Sequence, residues 1–193
     1  MKDIIREAME AGIALRQACA GSLNEPLLKA AEKMVSCLES GGKILVCGNG
    51  GSAADAQHFA GELVNRFEMN RPGLAAIAMT HDASVITSIA NDFSFDDIFS
   101  RQVEALGRQG DVLLAITTSG NSANVIKAVD AARSMHMETV VLTGGDGGKL
   151  AESANLSVHL NIAHESTPRV QEMHITCLHI LCSLIDETMF GDR

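Results

Sequence analysis

From Ile44 to Arg66 the chain reads ILVC, then GNGGS, then AADAQHFAGELVNR, and that succession leaves few folds open. Ile44 to Cys47 is apolar at every position, the pattern of a parallel strand buried on both faces. Gly48, Gly50 and Gly51 allow a tight turn and close approach of backbone to a ligand. Ser52, with Asp55 three residues on, resembles a capping box and predicts a helix from Ser52 that carries Arg66. The free amides at such a helix start attract phosphate. His58, Glu62 and Arg66 follow at intervals of four and would share one face. A phosphate cradle beside an imidazole, a carboxylate and a guanidinium suggests chemistry on a phosphorylated substrate. Each part also has a plainer reading. The turn is neither GxGxxG nor a Walker loop, His58 could be a core histidine, and Glu62 with Arg66 could be a surface ion pair.

The rest of the chain alternates strand and helix. Two amphipathic helices are predicted first, over residues 2–20 and 25–39, stopped by Gly41-Gly42. A doubly wound sheet does not need both, so a spare apolar face is expected to pack against another subunit. Further strands are expected at 74–79, 111–116, 138–143 and 156–160, the last near an edge because it alternates. Helices are expected at 82–89, 93–106, 123–133 and 166–189, with Asn91-Asp92 between the first two of these. The pattern predicts a single domain over residues 1–193, with residues 1–42 used in oligomer packing and 43–193 forming an α/β core. A parallel five-stranded sheet covered on both faces follows, an α/β/α arrangement. The strand at 111–116 runs into Thr117, Thr118, Ser119, Gly120, Asn121 and Ser122. One or two hydroxyls would serve to cap a helix; four favour an anion site. Ligands of open parallel sheets bind beyond the carboxyl ends of strands, where both polar loops belong.

Composition excludes several classes. Aromatic residues are 3%, with no Trp or Tyr, so base-stacking platforms are not expected. A net charge of −9 argues against nucleic acid as a partner. There is no apolar run of about 18 residues, so no membrane span is expected. No signal peptide is read in the first residues. Cys19, Cys37, Cys47, Cys177 and Cys182 contain no CxxC pair and are odd in number, which fits buried thiols in a reducing cytoplasm.

Taken together, CGNGGSAADAQHFAGEL, NRP, AND, TTSGNSANVI, LTG-DGG and RVQEMHI resemble the sugar isomerase (SIS) domain family. More narrowly they are similar to the phosphoheptose isomerases, over essentially the whole chain. The resemblance implies the three-layer SIS fold. It implies substrate contacts from Asn49, Gly50, Gly51, Ser52, Glu62, Asn91, Asp92 and Gln171, with phosphate on Thr117, Thr118, Ser119 and Ser122. Glu62 and His179 would form the acid–base pair. Zinc would be bound through His58, Glu62, Gln171 and His179, and homotetramers would carry active sites between subunits. The implied product feeds ADP-heptose synthesis for lipopolysaccharide core. A sister group, a replication-initiation regulator that binds an initiator ATPase, shares the phosphate loops but lacks acid and histidine at positions 62 and 179. This sequence has both. It departs from some isomerases at Ala53-Ala54, where bulkier residues can stand.

On that resemblance Glu62 is expected to move the carbon proton and His179 the oxygen protons, with His58 and Arg66 orienting. Gln171 and His179 are eight residues apart, about 12 Å of helical rise. One ion could take both only through converging side chains, a bent helix, or different subunits. His174 is expected to be structural or to stand behind the site.

Overall fold

The computed structural model describes residues 1–153 and 156–191. Five strands form one parallel sheet: β1 (Ile44–Gly48), β2 (Ala76–Ala78), β3 (Val112–Ile116), β4 (Glu138–Gly144) and β5 (Val158–Ile162), in the order β2-β1-β3-β4-β5. β1 and β3 are buried at every residue, as their unbroken apolar runs require. β5 alternates buried and half-buried residues, as befits an edge.

Among the described residues eight α-helices surround the sheet: α1 (Lys2–Cys19), α2 (Asn24–Glu39), α3 (Gly51–Val64), α4 (Ala83–Asp92), α5 (Ser100–Leu106), α6 (Ala123–Ser134), α7 (Gly148–Ala151) and α8 (Thr167–Phe190). Successive strand residues point to opposite faces, so two cores form. Val46, Leu114, Ile116 and Leu142 pack with α2, α3 and α8. Leu45, Cys47, Leu113 and Val141 pack with α5 and α6 on the other side. The three-layer α/β/α arrangement, with two helices ahead of the first strand, agrees with the sequence reading.

The two leading helices differ in role. α2 buries Leu27, Ala30, Ala31, Met34, Val35 and Cys37 in the first core. α1 buries only Leu15 and Cys19 and leaves Ile4, Ile5, Met9 and Ile13 more than half exposed.

Several boundaries move. α3 starts at Gly51, one residue early, because Gly50 adopts φ 56° and turns the chain there. Ser52 is therefore inside the helix and buried, and the expected capping box does not form. α3 ends at Val64, so Arg66 is not on its face; it is exposed and donates to the carbonyl of Phe67. α4 extends through Asn91 and Asp92 rather than stopping before them. The single helix expected over 93–106 is a 3-10 turn, Phe95–Asp97, followed by α5. The short α7 has no periodic signal in the sequence.

Candidate functional site

From β1 the chain passes outward to β2 and then returns to β3 on the other side of β1. The loops after β1 and β3 therefore flank the switch in strand order, where sheets of this kind bind ligands.

In the first loop, a Cβ on Gly48 would stand 2.7 Å from the Ser52 carbonyl and 2.9 Å from that of Ile116, so only glycine lets the loop fold so close to β3. Asn49 and the buried Asn124 exchange amide hydrogen bonds of 2.8 and 2.9 Å, tying the first loop to the start of α6. In the second loop, Thr117 and Ser122 join their hydroxyls at 3.1 Å, and Ser119 accepts from the Asn121 amide. Among the described residues no side chain caps either α3 or α6. The hydroxyls of the second loop are thus not spent on capping, and the leading amides of both helices stay available to an anion. Gly120, at φ 65°, presses against the carbonyl of Gly147 in the loop after β4. Asn121 also accepts from the Lys149 amide, so the two loops interlock.

The second half of the site is the seam between α3 and α8. His58 and His179 bring their Nε2 atoms to 2.8 Å, and Glu62 Oε1 stands 3.4 Å from the same His58 nitrogen. Of the two facing nitrogens, one carries the proton and the other accepts it. Phe67 stacks on the His179 ring with centroids 5.6 Å apart, and the His58 ring meets it edge-on at 5.1 Å. The carboxylate and imidazole expected to act together therefore share a neighbour in a single chain.

Gln171 lies elsewhere on the seam. Its side chain covers Gly51, where a Cβ would come within 2.5 Å of Nε2. Gly51 and His58 are two turns apart on α3, about 10 Å of rise, so Gln171 is beside the cradle and not in the His58–Glu62–His179 cluster. Asn91 donates to Asp92 at 2.8 Å, and both are exposed at the end of α4; among the described residues no hydrogen bond ties either to the loops. His174 is fully buried and bonds the Thr143 carbonyl at 3.0 Å, a structural role. Burial holds it below the ordinary histidine value, against the raising effect of that carbonyl. Asp55, a turn before His58, has a buried oxygen with no partner among the described residues; burial raises its carboxyl, and His58 partly offsets the rise.

Two imidazoles and a carboxylate are donors that zinc accepts. The three meet around one nitrogen, so the donor chemistry fits. As placed, the two rings are hydrogen-bonded to each other, and among the described residues no three His, Cys, Asp or Glu stand preset around an ion.

Asn124, Phe67 and Arg71 were not singled out by the sequence reading as part of the site. Asn124 follows the hydroxyl cluster within SGNSAN and could have been suspected there. For Phe67 no spacing gives a signal.

The SIS domain family model matches residues 9–144 of the chain. A phosphoheptose isomerase of Shewanella halifaxensis is 53% identical over 191 residues, covering 98% of this chain and 95% of that protein. The solved phosphoheptose isomerase of Neisseria gonorrhoeae superposes with a TM-score of 0.92 at 49% identity, covering 96% of this chain and 98% of the other. That of Francisella tularensis gives 0.93 at 45% identity, with 96% and 97% covered.

Proposed function

The chain belongs to the phosphoheptose isomerases of the SIS domain family, and from that membership we propose how its residues convert D-sedoheptulose 7-phosphate to D-glycero-D-manno-heptose 7-phosphate. The observation that carries the residue assignment is the convergence of Glu62 and His179 on His58 Nε2, on the helix that begins at the first glycine turn.

The substrate's phosphate rests on Thr117, Thr118, Ser119 and Ser122 and on the open amides of α6. Asn49, Gly50, Gly51, Ser52 and Gln171 contact the sugar, and Asn91 and Asp92 complete the binding surface. Glu62 takes the proton from C1, leaving an enediol across C1 and C2. The same carboxyl returns a proton to C2, and the ketose has become the aldose. His179 moves the oxygen protons, giving one at O2 as the carbonyl is lost and taking one from O1 as the new carbonyl forms. Positioned acid–base groups of this kind contribute about 10²–10⁴-fold each. Phe67 and His58 hold the His179 ring between a stacked face and an edge.

Zinc held by His58, Glu62 and His179, with Gln171 as a further ligand, would polarise the carbonyl as a Lewis acid when bound. Because Gln171 lies at the cradle of its own chain, its part in such a site is better met from a neighbouring subunit. The exposed apolar stripe Ile4, Ile5, Met9 and Ile13 supports packing against another subunit, and we take the assembly to be a homotetramer with active sites between subunits. Among the described residues no helix is long and apolar enough to cross a membrane. The five cysteines are buried and, among the described residues, form no disulfide, which supports a cytoplasmic setting; burial pushes the Cys47, Cys177 and Cys182 thiols up to about 12. There the reaction would open ADP-heptose synthesis for lipopolysaccharide core. The replication-regulator reading is not favoured, since relatives matched over nearly the whole chain are isomerases.

The test is direct. Incubated with sedoheptulose 7-phosphate, with and without zinc, the protein is expected to form the aldose phosphate; no turnover in either condition refutes the assignment.

A further inference from the structure

The last turn of α3 is closed off by a residue from outside it. Arg71, in the loop that follows, has a guanidinium with no exposure to solvent. Its Nη1 donates to the carbonyls of Leu63 at 2.7 Å and Pro72 at 3.0 Å, and its Nη2 to the carbonyl of Glu62 at 2.9 Å. The carbonyls of a last helical turn lack partners within the helix, and the rigid fork of an arginine can serve two at once. The remaining donor, Nε, reaches Asp186 Oδ1 at 2.8 Å. Asp186 is on α8, two turns beyond His179. One buried side chain therefore grips the backbone of Glu62 and, through Asp186, the helix that bears His179.

We propose that Arg71 is a positioning residue for the isomerisation: with Asp186 it straps the last turn of α3 to α8 and so fixes the Glu62 carboxylate relative to the His179 imidazole. The proposal rests on the reading of those two groups as the acid–base pair. Stability alone does not account for the arrangement. Replacing a buried ion pair by apolar residues of similar size is often neutral or stabilising. Here the pair is also imperfectly satisfied, because Asp186 Oδ2 is buried and has no partner among the described residues. What an apolar pair cannot do is hold two carbonyls of α3 at a set distance from α8. Geometry of that order matters to rate, since a displacement of about 1 Å can cost about 10²-fold.

Three variants of the full chain test it: Arg71→Lys, Asp186→Asn and the double variant Arg71→Met with Asp186→Leu. In the double variant kcat is expected to fall about 10- to 100-fold while KM stays within about threefold, because the phosphate loops are untouched. Arg71→Lys keeps the charge but not the fork and is expected to restore only part of the rate; Asp186→Asn keeps an acceptor and is expected to lose least. Crystal structures supply a readout independent of turnover: the Glu62 carboxylate and the His179 ring should separate or rotate in the double variant. A folded double variant with wild-type kcat, or with both side chains unmoved, overturns the proposal. If the double variant does not fold, Arg71→Lys decides, and a wild-type kcat there overturns it as well. Loss of folding in both makes the pair a stability element and equally ends the proposal. Absence of turnover in the wild type would instead refute the proposed function, and the strap would then be judged on the structures alone.

Discussion

The loops 48–52 and 117–122 each gather their glycines, hydroxyls and amides within a few contiguous residues, whereas His58 and His179 meet across 121 positions of chain. The cradle is made of glycines, short hydroxyls and open backbone amides, and its geometry is settled where strands end and helices begin. The α3–α8 seam is made of long side chains whose meeting depends on two helices packing in register on one face of the sheet. Steric room governs the first region and alignment governs the second. A substitution in the cradle should therefore register mainly in stability and substrate affinity, and one on the seam mainly in turnover.

The strongest test of that division is Glu62→Gln. Its carboxylate is partly exposed and makes no buried ion pair, so the melting temperature should barely change while kcat falls about 10²–10⁴-fold. Steady-state kinetics beside thermal melting checks both halves; a variant of normal rate removes Glu62 from its role. Next in size is Gly120→Ala in the cradle. The added methyl would overlap the carbonyl of Gly147, and the backbone is at φ 65°, which alanine resists. A loss of about 3 kcal/mol in unfolding free energy is expected, with raised KM in whatever remains folded. A melting point equal to wild type would mean that the loops do not interlock as described. The smallest effect concerns pH. Burial keeps His159 and His174 below the ordinary histidine value. As pH falls through about 6.5 the unfolded chain takes up protons that the folded chain does not, so stability is fully present above that pH and declines below it. Urea midpoints should be lower at about pH 5.5 than at about pH 7.5, and His174→Gln should reduce the difference. An unchanged slope in that variant would rule out His174 as a contributor.

The same contrast explains what could be read from the residues alone. The runs Ile44–Cys47 and Val112–Ile116 announced buried parallel strands, because strands covered on both sides carry no polar face. The clusters GNGGS and TTSGNS announced the cradle, because turn chemistry is local. The spacing of His58 and Glu62 on one helix was visible, and only the family resemblance connected them to His179. The end of α3 carries no local signature: the carbonyls of its last turn are met by Arg71, which folds back over the helix. The capping box failed for a related reason: Gly50 turns the chain before Ser52 can act as a cap. Phe67 and Asn124 are partners defined only by three-dimensional contact.

The helix α8 runs for 24 residues and follows every other element in the chain. It lays Gln171 over the first glycine turn, anchors His174 beneath β4, hands His179 to α3 and closes on Arg71 through Asp186. Whatever unseats this one helix therefore removes the cover of the glycine turn, the bond beneath β4, the imidazole facing α3 and the grip on Arg71 together.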